Sequence, residues 1–86
     1  MDKIYIFVLD YLILRRIWNL GYLSFNNYRR IIAFATGISN IYYLRKIFIH
    51  LVEKGFFIKK KNEKRSYTYK FIGPYSLNRG PENVIF

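Results

Sequence analysis

Between Ile4 and Trp18, twelve of fifteen residues are apolar; only Asp10, Arg15 and Arg16 break the run. No other stretch restricts the fold as strongly. Neither Gly nor Pro occurs from Ile4 to Leu20, and Asn19, Leu20 and Gly21 form a stop signal, so the pattern predicts a helix over 4–20. At about 100° per residue its apolar positions cover nearly the whole circumference. Such a helix has to be buried on more than one side. In a chain of 86 residues one side can face the domain, and the other is expected to face a second copy. A second reading of the same stretch is a strand over Ile4–Leu9 followed by a shorter helix.

The run is too short for a membrane. Ile4 to Leu14 is 11 residues and contains Asp10, whereas a spanning helix needs about 20 apolar residues. A signal peptide is also not expected. Lys3 is preceded by Asp2, and Arg15, Arg16, Ile17 and Trp18 stand where small residues would be required. The expected location is the cytoplasm, or the host cytoplasm for a viral protein. A peripheral membrane helix is the alternative.

Composition narrows the chemistry. At 52 % hydrophobic and 21 % aromatic the chain can bury a core, which excludes disorder, and its length allows one domain. A domain of this size buries only about 60–65 % of its unfolded surface, so a partner is expected to cover some of the aromatic excess. There is no Cys and one His, hence no disulfide, no thiolate zinc site and no Cys nucleophile. The five acidic residues are scattered and form no metal cluster. No carboxylate pair, Ser/His/acid set or phosphate-cradling Gly loop is present. Neither an enzyme, a cofactor nor a small-molecule ligand is expected. The net charge is +10, and no acid stands between Asp10 and Glu53.

After a short extended link at Tyr22–Ser24, a second helix is predicted over 27–35, with Ser24, Asn26 and Asn27 as candidate caps. Tyr28, Ile31, Ile32 and Ala35 fall at i, i+3, i+4 and i+7, one buried stripe. Gly37 suits a helix end, and Ser39 or Asn40 can cap a third helix over 39–54. There Ile41, Leu44, Phe48 and Leu51 mark the inner face, with Ile47 and Val52 on its shoulders. Ser39, Tyr42, Tyr43, Lys46 and His50 mark the outer one. From Phe56 the period changes to two. Phe56-Phe57-Ile58 starts a strand, and Tyr67, Tyr69 and Phe71 alternate with polar residues in another. Between them Lys59, Lys60, Lys61, Lys64 and Arg65 make a basic hairpin tip. A tail over 74–86 ends in Val84, Ile85 and Phe86.

This order of elements resembles the winged helix-turn-helix family over roughly residues 8–72. The carriers are Ala33 and Ala35 before Thr36-Gly37-Ile38-Ser39, then Tyr43-Leu44-Arg45-Lys46, then Leu51-Val52-Glu53-Lys54-Gly55-Phe56-Phe57-Ile58. The last string looks like the end of a recognition helix running into its wing. The pattern is similar to small MarR-like and ArsR-like regulators, including those common in archaea and their viruses. Two departures stand out: 37–55 is slightly longer than the common pattern, and the second helix sits further from Ser24, which moves its cap to Asn26 or Asn27.

The resemblance implies an α+β domain over 1–73, three helices followed by a two-stranded β-hairpin wing. It implies a third helix in the major groove of double-stranded DNA and a wing on the adjacent backbone or minor groove. Ser39, Asn40, Tyr42, Tyr43 and Lys46 would then face the groove, with His50 a further candidate. Arg45, Arg29 and Arg30 would reach phosphates, and Lys59, Lys60, Lys61, Lys64 and Arg65 would form the wing contact. The expected function is a transcriptional regulator working as a homodimer, through the first helix, on a pseudo-palindromic site. The alternative is a non-specific nucleic-acid-binding or protein-interaction module on the same fold.

Overall fold

The computed structural model describes residues 2–74. Val84, Ile85 and Phe86, which were also expected to contribute to the homodimer interface, lie outside them. Helix α1 covers Lys3–Leu14 and does not run on to Leu20. Arg16 adopts the left-handed conformation (φ 51°, ψ 49°), and Ile17–Leu20 form a 3-10 turn. The break has a packing cause. In a straight helix Ile17 would lie seven residues from Asp10 and share its outward face. The kink instead sends Ile17 into the core, at 7 % exposure, and lays Trp18 against Gly73 and Phe71. On α1 itself Val8 and Leu12 are buried, while Lys3, Phe7, Asp10 and Leu14 form an exposed stripe.

The link at Tyr22–Ser24 is a strand, β1. It pairs antiparallel with β3 (Tyr67–Phe71), which also pairs with β2 (Phe57–Lys61), so the sheet order is β1-β3-β2. The sheet therefore has three strands, not the two of the expected hairpin. Three residues are too few to show an alternation; β1 exists because the free edge of β3 supplies partners for its backbone groups.

Helix α2 (Phe25–Thr36) starts earlier than its stripe suggested. Its cap is Ser24, whose hydroxyl accepts from the Asn27 N–H at 3.4 Å, so Asn26 and Asn27 are first-turn residues and not caps. Tyr28 and Ile32 are buried, with Ile31 and Ala35 half-buried beside them. Gly37 ends the helix in the left-handed region (φ 74°) with its N–H on the Ala33 carbonyl.

Helix α3 (Ile41–Glu53) is capped by Asn40, so Ser39 precedes the helix. Leu44, Ile47, Phe48 and Leu51 are buried. Two expectations shift. Ile47, placed on the shoulder, is fully inside, whereas Ile41 is 48 % exposed. Ile41 follows the cap directly and occupies the outer end of the helix. Helices α2 and α3 and the 3-10 turn pack on one face of the sheet around Phe48, and α1 packs on α2 and α3. The Phe48 ring centroid lies 4.9 Å from Tyr69, 5.1 Å from Phe57, 5.3 Å from Tyr28 and 5.4 Å from Phe25. The described residues thus form an α+β domain with three α-helices and one antiparallel sheet.

Candidate nucleic-acid interface

The rotation of α3 is fixed by its four buried residues. Their opposite is a line through Tyr42, Lys46, Ile49 and Glu53, at i, i+4, i+7 and i+11. Tyr42 is 81 % exposed, and Lys46, Arg45 and Tyr43 are exposed around it. Asn40, expected both as a candidate cap and on the groove-facing surface, serves as the cap. Its Oδ1 accepts from the Tyr42 and Tyr43 N–H groups at 2.9 and 3.2 Å. The carbonyl half of its amide is therefore spent on the helix end. Tyr42, Tyr43, Lys46 and Asn40 line a shallow hollow of about 310 Å³ together with Asp2 and Tyr5 of α1.

His50 does not join that surface. Its ring stacks on Tyr5, with centroids 3.9 Å apart and planes 13° apart, and its buried Nε2 has no partner among the described residues. It joins α3 to α1. The Arg45 guanidinium lies over the Phe25 ring at 5.2 Å, beside the start of α2. Arg29 and Arg30 separate. Arg29 is half-buried, with a buried Nε that makes no hydrogen bond among the described residues. Arg30 stands on the rim of a different depression, with Arg15, Tyr11, Ile17, Leu20, Ile31 and Phe34. The structure thus places Arg30 beside α1 and the 3-10 turn.

The register divides the basic hairpin into two faces. Phe57 pairs with Phe71, Lys59 with Tyr69 and Lys61 with Tyr67. Since Phe57, Tyr69 and Phe71 are buried against the helices, Lys59 and Lys61 lie on the helix side of the sheet. Lys60 pairs with Thr68 and shares the outer side with Ile58, Lys70 and Tyr22. Each face carries a cation on a ring: the Lys59 ammonium is 4.0 Å from the Tyr67 centroid, and Lys60 is 5.4 Å from Tyr22. Lys64 and Arg65 are exposed at the tip. The Asn62 N–H donates to the Ser66 carbonyl and the Arg65 N–H to the Asn62 carbonyl, with Arg65 at φ 61°.

Sequence reasoning had no access to the second side of the sheet, where Tyr22 and Lys70 stand. Only the pairing of β1 with β3 brings them together. The engagement of the Asn40 amide was legible in the sequence, where an Asn just before an apolar-periodic run is a cap signal. Among the described residues no three His, Asp or Glu side chains gather as a metal site, and no helix is long and apolar enough to cross a membrane. Comparison with family models, with curated proteins and with solved structures gives no match.

Proposed function

We propose that this protein is a winged helix-turn-helix module that binds double-stranded DNA through α3 and its hairpin, and regulates transcription as a homodimer. The carrying observation is the placement of cations. Arg45 and Lys46 project from a helix with no acid before Glu53, and the register turns Lys59 and Lys61 of the adjoining strand to the helix side of the sheet. A phosphate backbone running past α3 and the hairpin would meet both groups. Such contacts release counterions and supply most of the affinity. The order helix, strand, helix, Gly turn, helix, hairpin supports the same reading, with β1 joining the hairpin's sheet.

For the second copy this reading uses exposed apolar side chains of α1 and α2. Phe7 and Leu14 stand out from α1, and Leu14 is 79 % exposed. Phe34 of α2 is 78 % exposed at the rim of the depression that holds Arg30. A two-fold pair through these side chains would present two α3 helices to half-sites about one helical turn apart.

The test is a random-duplex selection with the purified protein at two salt concentrations. A regulator enriches one pseudo-palindromic sequence and keeps it over competitor DNA at the higher salt. Equal retention of all duplexes would make the protein architectural. No retention even at low salt would sink the DNA reading.

A further inference from the structure

The outward face of α3 is short of groups that tell one base pair from another by hydrogen bonding. Adenine is read by an Asn or Gln that offers a donor and an acceptor together. The chain has no Gln, and the Asn40 acceptor is held by two backbone N–H groups. Guanine is read by Arg or Lys. Arg45 lies over Phe25 on the flank toward α2, which leaves Lys46 on the outward line. Cytosine needs an acceptor, and the acid of this face, Glu53, stands at the far end of the helix. What the face does present is carbon. Tyr42 is the most exposed large apolar side chain among the described residues, and Ile49, half-buried against the core, lies two turns further along the same line, with Lys46 between them. In the major groove the base-edge group that suits such a surface is the thymine C5-methyl.

Resting on the DNA reading above, we propose that α3 selects A·T-rich sites by packing Tyr42 and Ile49 against thymine methyl groups. Lys46 holds the helix between them by its charge. Each methyl is shielded from water by the one side chain it meets, the Tyr42 ring for one thymine and Ile49, about two turns along the helix, for another. Binding therefore depends on the methyl itself and not on the hydrogen-bonding edge of the base.

Deoxyuridine isolates that one group, because it keeps every hydrogen-bonding position of thymine and lacks the methyl. The probes are poly(dA-dT) and poly(dA-dU), with poly(dG-dC) and its 5-methylcytosine form as a second pair that adds a methyl at the same groove position. Each buried methyl is expected to change affinity about fourfold. The wild-type protein should bind poly(dA-dT) more tightly than poly(dA-dU), and the methylated G·C duplex more tightly than the plain one. The Tyr42→Ala variant, which changes an exposed side chain, should bind the members of each pair more nearly alike. If all duplexes bind but methylation makes no difference, the methyl reading is overturned while the docking reading stands. If no duplex binds, both fall. A methyl preference that Tyr42→Ala and Ile49→Ala each leave unchanged would overturn the assignment to these residues.

Discussion

Tyr28 sets one hydroxyl between two backbone groups of β3. Its O–H donates to the Tyr69 carbonyl at 2.7 Å and its oxygen accepts from the Phe71 N–H at 3.3 Å. The ring is fully buried, and burial pushes the phenol up to about 12 from its ordinary 10, against the opposing pull of the Phe71 N–H. Tyr28→Phe should lower unfolding stability at neutral pH by about 1–3 kcal/mol, because its buried partners would be left without hydrogen bonds. The pH dependence has a definite sign. A pKa raised on folding means a contribution complete below pH 10 and lost as pH rises from 10 through 12. Denaturant titrations over that window should therefore show wild type and Tyr28→Phe converging. A constant gap would mean that the hydroxyl is not shielded from solvent. Asn40 offers a second test at this scale. Asn40→Ala should cost about 1 kcal/mol through removal of the cap, whereas Asn40→Ser should keep both the cap and the sequence preference. A changed preference with Ser would make Asn40 a base reader after all.

Two elements, the turn before α3 and the hairpin after it, would set the proposed interface. Gly37 carries φ 74°, and a Cβ there would meet no atom within 4 Å. Its cost is thus backbone strain alone: Gly37→Ala should destabilise by about 1–2 kcal/mol, read from thermal or urea melts. In the hairpin the two sides of the register predict different roles. Replacing Lys59 and Lys61 together by Ala should flatten the slope of log affinity against log salt by about 0.9 for each phosphate that is no longer neutralised. Replacing Lys60 and Lys70, on the outer side, should leave the slope nearly unchanged. Equal effects from both pairs would mean that DNA does not approach from the helix side. The strands β2 and β3 were legible because Tyr67, Tyr69 and Phe71 alternate with polar residues. β1 was not, since its three residues carry no period and it forms only against β3.

At the scale of the whole molecule, the proposed dimer would rest on the exposed apolar side chains of α1. Phe7 and Leu14 point away from the core, so Phe7→Glu with Leu14→Glu should yield a monomer in sedimentation analysis without a large drop in melting temperature. Wild type behaving as a monomer at micromolar concentration would remove the dimer. What the sequence determined by itself is the set of local decisions. Helix stripes, the Asn40 cap, the Gly37 turn and the two strands after Gly55 depend on spacing and backbone preference, which act between residues a few positions apart. The tertiary structure decided where those elements end and what their side chains meet. α1 stops at Leu14 because Ile17 gains burial only if the chain kinks at Arg16, although nothing in Arg15-Arg16 itself demands a left-handed residue. His50 leaves the outer face because Tyr5 of α1 arrives to stack on it. Lys59 and Lys60 part because strand pairing puts neighbouring residues on opposite faces and packs one face against helices. Each of these outcomes depends on residues distant in the chain coming together, and local pattern does not encode that.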